Sequence, residues 1–154
     1  MIFNDPINDD RLNKELLDNQ VFSLADFQSF RKGEEGTLMG VVMDNADAIN
    51  SEKWVFWLVK HHGFARYCNP RVDMEWLRKA SISKALTRRF IDASVYPLGP
   101  SGRAMLVGCA RPDKKDVLEG IKQELNALVV YQVAIAPTET RAIDSIYQEF
   151  LARS

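Results

Sequence analysis

The chain has 154 residues, 46% apolar, 27% charged and 10% aromatic, which is the balance of a packed domain of ordinary size and not of a solvated tail. Twenty Lys+Arg against 21 Asp+Glu leave a formal charge of −1, so the chain lacks the basic field that sequence-independent nucleic-acid binding requires. Its longest apolar run, Ala104 to Cys109, is far below the roughly 20 residues that cross a bilayer, and Met1 to Asp10 has no basic start followed by an apolar stretch.

Cys68 and Cys109 are too few for a disulfide scaffold and form no C-x-x-C pair, which predicts reduced, buried thiols and a cytoplasmic location. Charge divides weakly along the chain: residues 1–79 carry 10 Lys+Arg and 13 Asp+Glu, residues 80–154 carry 10 and 8. Within the more basic half, the Arg88-Arg89 pair is a candidate docking surface, set against ordinary surface variation.

In chain order, the first half reads as short helices. Ser23 caps a helix predicted to begin at Leu24, with Asp26 three residues on and Phe22 placed to staple against Phe27. Ile49-Asn50-Ser51-Glu52-Lys53-Trp54 repeats the arrangement: Asn50 is the cap, Ile49 packs on Trp54, and Trp54, Trp57 and Leu58 follow at helical spacing. Phe27 and Phe30 thus correspond to Trp54 and Trp57 at an offset of 27 residues, and each cap is preceded by an apolar segment, Leu12, Leu16 and Leu17 before the first and Met39 and Met43 before the second. This pattern predicts a duplicated helix-loop-helix unit. Asn69-Pro70 marks a break, after which Val72 to Leu77 and Ser83 to Phe90 carry helical periodicity.

The second half changes period. Val95 to Leu98, then Gly99-Pro100-Ser101-Gly102, then Arg103 to Ala110 predicts strand, tight turn, strand. Asp113 is the expected cap of a helix bearing Val117, Leu118, Ile121 and Leu125; Leu128 to Ile135 returns to strand; and Thr138 is the expected cap of a last helix striped by Ile143, Ile146, Tyr147, Phe150 and Leu151. The expected fold class is α+β, a helical repeat over 1–64 followed by a small ββαβα module over 65–154.

Catalytic patterns are not found. Gly33, Gly36 and Gly40 lack the lysine and preceding strand of a phosphate loop, and no G-x-S-x-G elbow surrounds Ser94 or Ser101. His61-His62 lacks the i,i+3 or i,i+4 spacing of zinc ligands, so surface or half-buried histidines are expected and no metal is assigned. Cys109, between Gly108 and Ala110 in a strand, reads as a core thiol. These features predict a non-enzyme. The dense aromatic set of Trp54, Trp57, Phe27 and Phe30 has two readings, a sealed core or an exposed recognition patch. Arg11, whose planar fork can grip guanine or phosphate, stands before a leucine stripe that would fix a short helix.

Taken together, Arg11-Leu12-Asn13-Lys14-Glu15-Leu16-Leu17 with Ser23 to Phe27, then Leu38-Met39-Gly40 through Trp54, then Leu58 to Tyr67, Tyr96-Pro97-Leu98, Ala104 to Pro112 and Val129 to Tyr147 resemble the N-terminal domain of type II secretion and type IV pilus assembly ATPases. The resemblance spans Arg11 to Leu151. It implies a regulatory domain, distinct from the motor, that docks on a protein partner such as an inner-membrane platform or a motor domain. Membrane association would then be peripheral and through that partner. In a subset of the family the two repeated motifs bind cyclic di-GMP, which would be a ligand and not a cofactor, and related domains regulate glycosyltransferase-like membrane proteins. Carried onto this chain, that subset's motif assigns ligand contacts to Arg11, Leu12, Leu16, Leu17, Met39 and Gly40. The chain departs from it at Asn13 and Gln20, where glycines are expected, at Leu38 in place of arginine, and at Asp44 and Asp47. Side chains there narrow the approach to a flat ligand, and the carboxylates repel phosphate.

Overall fold

A computed structural model describes residues 9–26, 45–66, 70–112 and 114–153, with side chains in the first segment from Lys14 onward. Phe27, Phe30, Met39, Gly40, Met43 and Cys68 lie outside the described residues, so the first half of the expected repeat is seen only in part.

The chain is an α+β fold. Helix α1 (Asp9–Asp18) is followed by a turn and a helical start at 24–26, and later by a 3-10 turn (Ala46–Ala48) that leads into α2 (Ser51–His62). α3 (Met74–Lys79) and α4 (Lys84–Ala93) come next, then strands β1 (Val95–Ser101) and β2 (Ala104–Cys109). Helix α5 (Lys115–Glu124) carries the crossover to β3 (Val129–Ala134), and a second 3-10 turn (Pro137–Glu139) opens α6 (Thr140–Arg153). The sheet order is β1-β2-β3, with β1 antiparallel and β3 parallel to the central β2.

Caps set most helix starts. Asn50 Oδ1 accepts the Lys53 N–H, Asp73 Oδ1 the Trp76 N–H, Ser83 Oγ the Leu86 N–H and Ser23 Oγ the Asp26 N–H, each at 3.1 Å. Two starts differ from the sequence expectation. The cap position of α5 is Lys114, which makes no side-chain cap bond, and Asp113 lies outside the described residues. Thr138 does not cap α6. Pro137, with no N–H to lose and φ already set, opens the tighter 3-10 turn one step earlier, Glu139 Oε1 accepts the Ala136 N–H at 2.9 Å, and Thr138 Oγ1 lies 3.1 Å from Ser51 Oγ.

The hairpin turn is also displaced. The expected four-residue turn over Gly99 to Gly102 shrinks to Gly102-Arg103, closed by the Ser101–Ala104 pair, with Gly102 at φ +62°. Gly99 and Pro100 belong to β1 instead. β1 is an edge strand, so Pro97 and Pro100 sacrifice no bond in the sheet interior, and the register shifts between Pro97 and Gly99. Gly99 takes φ +148° where the chain presses on Asp73: a Cβ there would lie 2.8 Å from Asp73 Cβ. The same approach brings the Asp73 N–H to the Leu98 carbonyl at 2.6 Å.

One apolar cluster runs through these elements, from Leu16, Val21 and Phe22 through Trp54, Trp57 and Leu58 to Phe90, Tyr96, Val107, Ile121, Ile135 and Tyr147. Phe90 meets Tyr147 edge-on and Tyr96 stacks on it, so α4, β1 and α6 share an aromatic joint.

Candidate functional site

The first motif forms a helix end and a turn. α1 stops with Gln20 at φ +59°, the Gln20 N–H bonding to the Leu17 carbonyl at 3.1 Å and the Val21 N–H to Leu16 at 3.0 Å, the paired bonds of a Schellman cap. Glycine is the usual occupant of that backbone. Gln20, standing where the motif expects glycine, adopts the glycine-type conformation all the same. Leu16 is fully buried, so it anchors the helix; Leu17 is half-buried and, with Gln20, Val21, Phe22, Leu24 and Asn50, lines a cleft of ≈ 690 Å³. Arg11 and Leu12 fall within α1, and Met39 and Gly40 lie outside the described residues.

The second motif is tied to the first. The Asn50 N–H donates to the Val21 carbonyl at 2.9 Å, and the Trp57 Nε1–H donates to Glu15 Oε2 at 3.0 Å. His62 Nε2 lies 3.3 Å from the same oxygen, with its ring edge-on to Trp57. His62 is thus buried, against the expectation of a surface or half-buried residue, because it falls four residues after Leu58 on the face of α2 that packs inward, beside Glu15 and Trp57. Trp54 Nε1–H donates to the Ala110 carbonyl at 2.9 Å. Trp54 and Trp57, candidates for partner contact in the sequence, are fully buried and meet each other edge-on at 5.0 Å, so neither reaches a partner. The exposed aromatic ring of α2 is Phe56, with Lys60 Nζ 5.6 Å from its centroid.

A groove of ≈ 420 Å³ runs between α3 and α6. Leu77, Ile146 and Phe150 supply its apolar lining, Met74 stands 41% exposed at its mouth, and Arg78, Glu149 and Arg153 form a charged rim on which Arg153 pairs with Glu149. Sequence reasoning did not single this groove out. Its two walls are far apart in the chain, and neither Met74 nor Phe150 breaks the helical stripe to which it belongs. Arg88 and Arg89 are exposed on α4; Arg89 Nη2 forms a surface ion pair with Asp116 Oδ2 of α5 at 3.0 Å.

The buried ionisable groups are built for packing. Burial pushes the Cys109 thiol pKa far above its ordinary value, and its Sγ lies against the Val107 carbonyl. Burial, and next the hydrogen bond to Asp144 Oδ1 at 2.8 Å, raise the Tyr96 pKa; burial alone raises that of Tyr147, whose hydroxyl donates to the Pro97 carbonyl. A thiol held neutral is a poor nucleophile. Among the described residues no group of three or more His, Cys, Asp or Glu side chains is placed to hold a metal ion, and no helix is long and apolar enough to cross a membrane.

The arrangement is the fold of the N-terminal domains of type II secretion ATPases, as the sequence resemblance implied. The N-terminal domain of XpsE superposes with a TM-score of 0.60 at 12% identity over 97% of each chain. MshE, in a structure with cyclic di-GMP, superposes with a TM-score of 0.56 at 14% identity over 89% of this chain and 98% of that one. At these identities the likeness is one of fold. No protein-family model and no curated protein matches the chain.

Proposed function

We propose that the chain is a non-catalytic docking domain that binds a protein partner through the groove between α3 and α6. The observation that carries this reading is the groove itself: Ile146 and Phe150 half-buried along it, an exposed methionine beside them and a charged rim of Arg78, Glu149 and Arg153, features that suit an amphipathic helix with polar flanks. The partner's helix would set apolar residues on Met74, Ile146 and Phe150, over the buried Leu77, and an acidic residue toward Arg78. The proposed partner is the one the sequence resemblance implies, an inner-membrane platform or a motor domain, with any membrane association peripheral and through that partner. The test is a titration of the chain with the cytoplasmic region of such a platform protein from the same organism. Met74→Asp should weaken binding by about tenfold or more, as expected for a charge set in an apolar contact. Equal affinity for wild type and variant would reject the groove.

A second reading has its own observation. Gln20 takes a left-handed backbone where the resembled motif expects glycine, and Leu17, Val21 and Leu24 line the cleft beside it, in a fold similar to that of a protein solved with cyclic di-GMP. In this reading the ligand contacts are those the resemblance assigns: Arg11 toward a guanine, Leu12, Leu16 and Leu17 as the apolar floor, and Met39 and Gly40 from the second motif. Calorimetric titration with cyclic di-GMP decides it: heat that is lost in Arg11→Ala supports the reading, and no heat at tens of micromolar, roughly the weak end of specific small-ligand binding, ends it.

A further inference from the structure

The two edges of the sheet are treated differently. β1 carries Pro97, Pro100 and a register shift, the devices by which proteins close a strand edge to further pairing. β3 carries none of them. From Leu125 to Thr138 the chain has no Lys, Arg, Asp, Glu or interior proline before Pro137, and Leu128, Val129 and Tyr131 stand 70%, 46% and 54% exposed. These are three of the six large apolar side chains exposed among the described residues, gathered on one strand end.

The hydrogen bonds show how far this edge is open. Ala65 bridges its upper end, its N–H donating to the Gln132 carbonyl and its carbonyl accepting the Ala134 N–H, both at 2.7 Å. Peptide groups alternate in direction along a strand, so the residues facing away from β2 are the even-numbered ones. Below Ala65, the Gln132 N–H and both the N–H and the carbonyl of Val130 point outward with no partner among the described residues.

We propose that this edge pairs with the same edge of a second copy of the chain, antiparallel about a two-fold axis at Val130. In that register the Val130 N–H and carbonyl bond reciprocally to those of the second copy, and the Gln132 N–H meets the Leu128 carbonyl of the second copy. Val129 then faces Tyr131 of the other chain on each side of the axis, an aromatic over a β-branched residue, which is a favourable cross-strand pair. At the axis Val130 meets its own copy, and Leu128 meets Gln132 and Val129 meets Tyr131 on either side; with no charged residue anywhere from 125 to 138, the pairing brings no like charges together. Pairing stops at residue 132, because Ala65 already holds the Gln132 carbonyl. An interface over residues 128–132 is well below the roughly 800 Å² per partner of a standard-size contact, so the dimer is weak and concentration-dependent. The proposal rests on β3 alone and stands or falls apart from the groove between α3 and α6.

Sedimentation equilibrium of the 154-residue chain from about 10 µM to about 1 mM, the range of weak association, tests it. The expected result is a mass that rises from 17.5 kDa toward twice that value and no further. Val130→Pro, which removes an outward N–H that the sheet does not use, and Tyr131→Lys should each weaken association by about tenfold. Val129→Lys and Tyr131→Glu variants, each monomeric alone, should associate when mixed, since the two introduced charges oppose each other across the axis. A chain that stays monomeric throughout, a dimer unaffected by both single variants, an open-ended series of larger species, or a charge-swapped mixture that stays monomeric overturns the proposal.

Discussion

Gln20 holds a backbone conformation that costs an L side chain about 1 kcal/mol relative to glycine. Gln20→Gly should therefore raise the unfolding free energy by up to about 1 kcal/mol in urea titration. Gly63 gives the reverse case: φ is +70° and nothing lies within 4 Å of an added Cβ, so Gly63→Ala costs about 1 kcal/mol from the dihedral alone. Gly99→Ala should cost clearly more, because strain and a 2.8 Å approach to Asp73 Cβ add. A rank order other than Gln20→Gly most stable, then Gly63→Ala, then Gly99→Ala would contradict this account of the turns. Cys109, Tyr96 and Tyr147 have raised pKa values, so the native state keeps them neutral while the unfolded chain ionises first and binds fewer protons. Stability from these groups is intact below about pH 8.5 and falls above it, first through Cys109 and then, above about pH 10, through the tyrosines. Cys109→Ala should remove the first phase of that fall in a series of urea midpoints against pH. The burial of Cys109 was legible from its place in an apolar strand. His62 shares the stripe of Trp54 and Leu58, but that a histidine can be buried there depends on Glu15 from a distant helix being there to meet it, which the spacing does not reveal.

Helices α1 and α2 are joined by few groups, and Glu15 is chief among them: it receives the Trp57 N–H and stands beside His62. Trp57→Phe keeps most of the apolar volume but removes that donor. Amides of α1 should then exchange faster with deuterium while those of β2 stay protected; uniform change across both would show that the bond is not what seats α1. Trp54→Phe strands the buried Ala110 carbonyl, at a cost of about 1–3 kcal/mol in unfolding free energy. Element types and their order were readable because helical stripes and β-branched runs have different periods, and caps such as Ser23 and Asn50 announced themselves in the sequence. The hairpin turn was misplaced because Gly99-Pro100 looks like a turn wherever it occurs; only the knowledge that β1 is an edge strand, pressed by Asp73, makes it strand. The spacing of Trp54 and Trp57 revealed a face, yet whether other elements cover a face is decided by the tertiary fold, and here α1 and the turn at Ala110 cover it.

Across the whole molecule, one apolar cluster links the N-terminal helices to the sheet, so a partner meets a surface on a rigid frame and not a loose tail. The groove between α3 and α6 and the cleft beside the first motif share no lining residue. Binding at one therefore leaves a distinct footprint from binding at the other. Amide exchange mapped on the chain with and without a saturating platform fragment separates them most directly. The docking account predicts slowed exchange over Met74–Lys79 and Thr140–Arg153, abolished by Met74→Asp, with α1 unchanged; protection confined to α1 and residues 20–26, or none at all, would contradict it.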